Sequence, residues 1–152
     1  MPSIPSLLPL AMLIACGADE PAAAAEPAPV TAAAPTQPAE IDVTGLKARL
    51  DGGAVRLIDV RTPAEYAEAR VPGAVNIPLP ELAARLDEVS PDRNTEVFLI
   101  CASGGRSGRA AAALADAGFQ KPVNVLGGTT AWKAAGLPVD SGAPSADDGR
   151  VE

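Results

Sequence analysis

Five short apolar segments alternate with stretches of helical character through the middle of the chain, and this alternation limits the possible folds more than any other feature. The apolar segments span 41–43, 55–60, 75–77, 97–101 and 123–126. The predicted helices span 45–51, 63–69, 81–89, 108–117 and 130–135. Strands that alternate with helices predict a parallel α/β sheet with helices on both faces. The continuous apolar strand 97–100 suits a sheet buried on both sides.

Residues at the predicted helix ends support this interpretation. The segment Thr62-Pro63-Ala64-Glu65 has the form of a capping box with proline in the first helical turn. Glycines stand where three of the helices are predicted to stop: Gly52, Gly118 and Gly136. Phe119 and Leu137 supply the hydrophobic residue that commonly follows such a cap.

The N-terminal segment 1–16 contains no charged side chain, and its apolar run is interrupted only by Pro9. The run is shorter than the roughly 20 residues that a membrane-spanning helix needs. It ends in Leu13-Ile14-Ala15-Cys16, which resembles the lipobox of bacterial lipoproteins, where the cysteine is lipidated and becomes the mature N-terminus. We therefore expect a lipoprotein-type signal with Cys16 as the lipidated residue.

This resemblance implies an anchor on the periplasmic side of a bacterial membrane. Gly17, in place of aspartate after the cysteine, favours the outer membrane. The segment departs from the usual signal because it has no basic residue near its start. The alternative is a degenerate apolar tail or a wrongly assigned start.

The segment 17–40 is rich in alanine and proline, with several acidic residues and no basic one. Proline disrupts helices, and this composition buries too little apolar surface to offset the entropy of ordering. We expect a disordered, semi-extended linker here, a structured domain over 41–140, and a flexible polar tail over 141–152.

Composition excludes several kinds of chemistry. The chain has 12 basic and 19 acidic residues, and its net charge of −7 argues against binding nucleic acid. It contains no histidine and two cysteines, which excludes histidine-based catalysis, Ser-His-Asp triads and four-cysteine zinc sites. We expect no metal and no cofactor.

The loop after the fourth predicted strand carries the residues best suited to chemistry. It reads Cys101-Ala102-Ser103-Gly104-Gly105-Arg106-Ser107, and Ser107 is predicted to cap the following helix. Backbone N–H groups in a tight turn and at a helix start bind anions, and Arg106 adds a permanent cation. These features predict that Cys101 is a thiolate with a pKa below the free-thiol value of about 8.5. The alternative is an inert core cysteine at a strand end.

This loop closely resembles the active-site loop of single-domain rhodaneses, which are thiosulfate sulfurtransferases with the pattern Cys-x-x-Gly-x-Arg-Ser. Segments 57–66, 71–78 and 126–138 resemble further signatures of the family in the same order. The resemblance covers 41–140. It implies a rhodanese-like α/β fold, with a five-stranded parallel sheet flanked by helices on both faces and Cys101 at the end of a central strand.

One departure from the family is visible before the second of these segments. Ala69 and Arg70 stand where the family usually has Gly-His. We expect this change to affect surface recognition rather than chemistry.

The resemblance also implies an enzymatic activity. A Cys101 thiolate would take the sulfane sulfur of thiosulfate or a similar anion as a persulfide and pass it to a thiol or cyanide acceptor. The amides of residues 102–106 would stabilise the persulfide charge. Asp59 and Arg61 match the family's Asp-x-Arg and are expected to orient the loop or to form a structural ion pair, while Tyr66 and Trp132 are expected in the core.

Two other functions compete with sulfur transfer. Phosphatases and arsenate reductases of the same fold carry five residues between cysteine and arginine, whereas four separate Cys101 from Arg106. The shorter loop encloses less space, so a tetrahedral oxyanion should fit poorly. The second competitor is a sulfur-carrier or protein-binding module without turnover, but a module that only docks would not need this complete set of loop residues.

Overall fold

The computed structural model describes residues 37–143. The predicted signal 1–16 with Cys16, most of the predicted linker, and the predicted tail beyond residue 143 lie outside the described residues. None of the helices between residues 37 and 143 is long and apolar enough to cross a membrane.

Five parallel strands form one sheet in the order β1-β5-β4-β2-β3. The strands are β1 (Ala39–Ile41), β2 (Arg56–Asp59), β3 (Ala74–Asn76), β4 (Glu96–Ile100) and β5 (Lys121–Val125). The α-helices are α1 (Val43–Gly52), α2 (Pro63–Glu68), α3 (Leu86–Val89), α4 (Gly105–Asp116) and α5 (Gly128–Ala134), and a 3₁₀ helix covers Leu79–Ala84. The predicted five-stranded parallel α/β fold is confirmed.

Two hydrophobic cores lie on opposite faces of the sheet, because alternate residues of a strand point to opposite sides. Ile58 and Leu99 belong to the core that includes residues of α3, α4 and the 3₁₀ helix. Leu57 and Phe98 belong to the core that includes residues of α1, α2 and α5. The apolar residues 97–100 of β4 are therefore buried on both sides of the sheet, as the sequence predicts.

Tyr66 and Trp132 are both buried in the second core, which confirms their predicted place. The indole N–H of Trp132 donates to the carbonyl of Pro138 at 2.7 Å, so its polar atom is satisfied. Burying these large aromatic side chains ties α2 and α5 to the sheet.

The C-terminal ends of the helices largely follow the sequence signals. Gly118 and Gly136 adopt positive φ angles of 92° and 67° and end their helices as predicted. The positive φ after α1 belongs to Gly53 rather than to Gly52, which is still helical. The predicted helix 81–89 is divided into the 3₁₀ helix and α3, because Arg85 at the junction leaves the helical region, with φ −119° and ψ 29°.

The structured part of the chain is longer at both ends than the predicted 41–140. Strand β1 begins at Ala39. Arg70 and Asp140 exchange two backbone hydrogen bonds, of 2.8 and 2.9 Å. The guanidinium of Arg70 donates to the carbonyl of Gly142 at 2.9 Å, so the start of the predicted tail is held against the domain.

The expectation of a surface role for Ala69 and Arg70 is wrong, because both residues are buried. The Arg70 side chain lies over the ring of Tyr66, 5.0 Å from its centroid. A long side chain can bury its stem against an aromatic ring while its head bonds carbonyl groups. Arg70 therefore serves to fasten the C-terminal segment.

Candidate active site

Cys101 directly follows β4, the central strand of the sheet, at its carboxyl end. Open α/β sheets bind ligands at this edge. The residue is buried, with 1% of its surface exposed, and its thiol is free. The position agrees with the one that the sequence predicts, at the end of a central strand.

The loop after Cys101 turns tightly around the sulfur. Gly104 has a φ of 105°, a left-handed conformation that favours glycine, and it forms the N-cap of α4. Its backbone N–H donates to Cys101 Sγ across 3.0 Å. Helix α4 therefore begins at Gly105, three residues earlier than predicted, and its first turn lies beside the thiol.

The prediction that Ser107 caps α4 is wrong, because the helix starts before it. Ser107 lies inside the first turn and is fully buried. Its hydroxyl oxygen lies 3.4 Å from Cys101 Sγ and 3.1 Å from the carbonyl oxygen of Gly104. Ser107 is thus a hydrogen-bonding neighbour of the thiol rather than a cap.

Two opposing effects set the pKa of Cys101. Burial is the largest single effect and raises the pKa, since it disfavours the charged thiolate. The hydroxyl and backbone N–H of Ser107, together with the N–H groups of Ser103 and Gly104, lower it and prevail, so the net pKa lies below the ordinary thiol value. The main groups that lower the pKa are thus these hydroxyl and backbone donors rather than Arg106.

Arg106 forms a bidentate ion pair with Glu65 of α2. Its two terminal nitrogens lie 2.9 and 2.7 Å from the two carboxylate oxygens. This contact lowers the pKa of Glu65 to about 2 and raises the pKa of Arg106, to which the charge of Cys101 adds a smaller increase. The cation therefore acts on the thiolate through space, while Glu65 holds it in position.

Glu65 is a member of the site that sequence reasoning missed. The sequence shows it only as part of a capping box, and the structure confirms that role, since Glu65 Oε2 accepts from the Thr62 N–H at 3.1 Å. The order of the strands is the signal that could have placed Glu65 in the site. Because β2 and β4 are neighbours, the helix after β2 starts beside the loop after β4.

Asp59 and Arg61 form a buried ion pair near the same edge of the sheet. The Arg61 Nε lies 2.9 Å from Asp59 Oδ1, and its Nη2 lies 2.6 Å from Asp59 Oδ2. The same Nη2 donates to the carbonyl of Ala69 at 2.7 Å. These contacts join the end of β2 to the segment before β3, which is the arrangement expected of a structural pair.

The N-terminal turn of α5 is hydrogen-bonded to the start of the loop at Cys101. The N–H groups of Thr129 and Thr130 donate to the carbonyls of Cys101 and Ala102 at 2.8 and 3.0 Å. Gly128 allows this approach because a Cβ atom there would overlap the Cys101 carbonyl oxygen and lie 2.6 Å from the Ala102 carbonyl carbon. Its φ of 54° also disfavours any side chain.

Replacing Gly128 with alanine is expected to displace the loop. The added methyl would collide with backbone that cannot move without breaking the contacts to α5, so we expect a loss of about 2–4 kcal/mol of stability together with slower chemistry at Cys101. Thermal unfolding and the rate of thiol alkylation measure the two effects. Gly52→Ala is the matched control, since nothing lies within 4 Å of its Cβ position. Equal behaviour of the two variants would contradict the assigned role.

Alkylation of Cys101 by iodoacetamide is expected to reach half its maximal rate at a pH below the free-cysteine value of about 8.5, because the loop donors favour the thiolate. The rate is followed by mass spectrometry of the peptide that contains Cys101, which separates it from Cys16. A half-maximal pH at or above the free-cysteine value would show that the loop does not activate the thiol.

Among residues 37–143, no group of three or more potential ligands is placed to hold a metal ion. The polar groups around Cys101 are N–H and hydroxyl donors and one guanidinium, and this set favours an anion. The site is therefore suited to bind a negatively charged sulfur.

In this structure a cysteine ends the central strand of a parallel sheet, and a helix starts beside its sulfur. This arrangement is typical of a class of α/β proteins that hold a thiolate at the carboxyl edge of the sheet. The chain belongs to the rhodanese-like domain family, whose model matches residues 42–135.

Comparison with known proteins supports this assignment. The chain is 41% identical over 101 residues to a sulfurtransferase of Allochromatium vinosum, covering 66% of this chain and 92% of that protein. It is 38% identical over 94 residues to the putative sulfur carrier protein YrkF of Bacillus subtilis, covering 61% of this chain and half of that protein. The structure of a thiosulfate sulfurtransferase from Pseudomonas aeruginosa matches with a TM-score of 0.62 and 32% identity, over 73% of this chain and 23% of that one.

Proposed function

We propose that this protein is a sulfurtransferase that carries sulfane sulfur from thiosulfate, or a similar anionic donor, to a thiol or cyanide through a persulfide on Cys101. The observation that carries the proposal is the set of donors around the sulfur. Gly104 N–H lies 3.0 Å from Sγ and the Ser107 hydroxyl lies 3.4 Å from it, at the start of α4. These donors favour a negative charge on sulfur, which both the attacking thiolate and the persulfide carry.

The first half-reaction forms the persulfide. The Cys101 thiolate attacks the outer sulfur of thiosulfate, a new sulfur–sulfur bond forms, and the bond within thiosulfate breaks. Sulfite leaves with the electron pair of that bond. The negative charge then lies on the terminal sulfur of Cys101, within reach of the loop amides.

The second half-reaction returns the enzyme to its starting state. Cyanide or a thiolate attacks the terminal sulfur, the sulfur–sulfur bond to Cys101 breaks, and its electron pair stays on Sγ as the regenerated thiolate. Attack of cyanide yields thiocyanate. Because the same donors hold the thiolate before and after transfer, no proton has to be supplied by a histidine.

Steady-state kinetics with thiosulfate and cyanide test this function. Two separate half-reactions predict parallel lines in double-reciprocal plots at several fixed cyanide concentrations. Intersecting lines would require both substrates to be bound together and would contradict the persulfide route.

A sulfur-carrier role is the second candidate, and the similarity to the putative carrier protein YrkF is the observation that favours it. A carrier would accept sulfur once from a donor and release it only to a protein partner. Persulfide formation without turnover in thiosulfate and cyanide would favour the carrier, whereas turnover with both small molecules favours the enzyme.

We propose in addition that Cys16 is lipidated and anchors the domain on the periplasmic side of a bacterial membrane, with the outer membrane favoured. The support is the apolar segment that ends in Leu13-Ile14-Ala15-Cys16. Acyl chains contribute about 0.8 kcal/mol per buried methylene, so a multiply acylated Cys16 would hold the protein at the membrane. Mass spectrometry of the mature protein is expected to show an acylated Cys16 at the N-terminus. An intact Met1 or an unmodified Cys16 would refute the anchor.

A further inference from the structure

Ser107 also contacts a polar side chain of β5, Asn124. Its hydroxyl oxygen lies 2.7 Å from Asn124 Oδ1, which is closer than the Gly104 carbonyl at 3.1 Å or Cys101 Sγ at 3.4 Å. A serine hydroxyl has one proton to donate. Three acceptors therefore compete for this proton, and the shortest contact is the one to Asn124.

The orientation of the Asn124 amide follows from its other neighbour. Asn124 is a buried residue of β5, and its Nδ2 donates to the carboxylate of Glu40 on β1 at 3.4 Å. Turning the amide over would place Oδ1 against the Glu40 carboxylate, so that two acceptors would face each other. Glu40 thus favours the orientation in which Asn124 accepts the proton of Ser107.

We propose that Asn124 is a positioning residue for Cys101, acting through Ser107 to control whether the hydroxyl proton faces the amide or the sulfur. A neutral thiol can donate its S–H to Ser107 Oγ while the hydroxyl donates to Asn124 Oδ1. When the sulfur is anionic, the hydroxyl proton turns toward it and the contact of Ser107 Oγ with Asn124 Oδ1 is given up, while Nδ2 stays on Glu40. The Asn124 carbonyl oxygen thus competes with the sulfur for one proton.

This proposal deepens the proposed function and rests on it, since the anionic sulfur of the persulfide would need the same donor as the thiolate. It explains why a buried asparagine follows Val123 in a strand that is otherwise apolar at its buried positions. A residue that only filled space at this position would have no need of an amide.

The test compares Asn124→Asp with Asn124→Leu, two replacements of nearly the same shape. Aspartate offers only acceptors, so it keeps the hydroxyl proton from the sulfur, and the half-maximal pH for alkylation of Cys101 should rise by about one unit, a roughly tenfold lower alkylation rate at lower pH. Leucine removes the competing acceptor, so its half-maximal pH should lie at or below that of the native protein. A rise in the Leu variant, or none in the Asp variant, would overturn the proposal. Asn124→Ala replaces Leu if thermal unfolding shows that the Leu variant does not fold.

A second comparison separates the hydrogen bond from the added charge of aspartate. In a Ser107→Ala background, the shift caused by Asn124→Asp should fall by half or more, because the hydroxyl that relays it is absent. An undiminished shift would assign the effect to charge alone and overturn the proposal. Alkylation needs no sulfur donor, so the result stands apart from the proposed function, which fails separately if the native protein neither forms a persulfide nor turns over thiosulfate.

Discussion

Cys101→Ser is expected to abolish sulfur transfer from thiosulfate to cyanide while leaving the fold intact. A serine hydroxyl ionises far above neutral pH, so the loop donors cannot hold it as an anion, and it cannot form the sulfur–sulfur bond on which the two half-reactions depend. The substitution changes one buried atom, and the surrounding donors can bond an oxygen as they bond sulfur. Thermal unfolding should therefore change little.

Steady-state thiocyanate formation measures the loss, with the native protein at equal concentration as the reference. Residual turnover of the Ser variant above the uncatalysed reaction would place the sulfur acceptor elsewhere. Cys16→Ser is the matched control in the isolated protein, because the proposed mechanism assigns that residue no part in transfer.

Arg106→Lys is expected to reduce the rate of transfer by roughly 10²–10³-fold, the size of effect that follows when a group that stabilises a reacting anion is lost. The planar guanidinium binds both oxygens of Glu65 and so holds a cation beside the loop in one position. An ammonium keeps the charge but cannot make this paired contact. The pair is about one-third exposed on each side, so stability should fall by less than about 1 kcal/mol.

Glu65→Gln tests whether the rate of transfer depends on the fixed position of the Arg106 guanidinium or only on its charge. The glutamine loses the ion pair that fixes the guanidinium but keeps the full positive charge of Arg106 near the loop. We therefore expect a smaller loss of rate than in Arg106→Lys. Rate and thermal stability are measured on the same preparations. Unchanged turnover of Arg106→Lys would remove Arg106 from catalysis, and parallel losses of rate and stability would mean that it only fastens the loop.

Local signals predicted the fold and the position of Cys101 at the end of the central strand. The apolar β4 segment, the glycines at the helix ends and the tight loop after Cys101 each act on their immediate neighbours, so their consequences can be derived from the sequence. The start of α4 differed from the prediction because the left-handed Gly104 lets the helix begin at once, which moves Ser107 from the cap into the first turn.

The partners of the loop residues could not be predicted in this way. Glu65 lies 41 positions from Arg106, and Asn124 lies 17 positions from Ser107. These contacts exist because the strand order brings β2 and β5 to either side of β4. Arg70 shows the same limit, since only the folded chain reveals that its charged head fastens a carbonyl of the C-terminal segment.

The most direct test of the central claim is the intact mass of the protein after incubation with thiosulfate, followed by removal of the excess donor. We expect a mass increase equal to one sulfur atom, located on the peptide that contains Cys101. The increase should be absent from Cys101→Ser and should be reversed by cyanide with release of thiocyanate. An unchanged mass, or a sulfur atom on another residue, would contradict the claim that Cys101 carries the transferred sulfur.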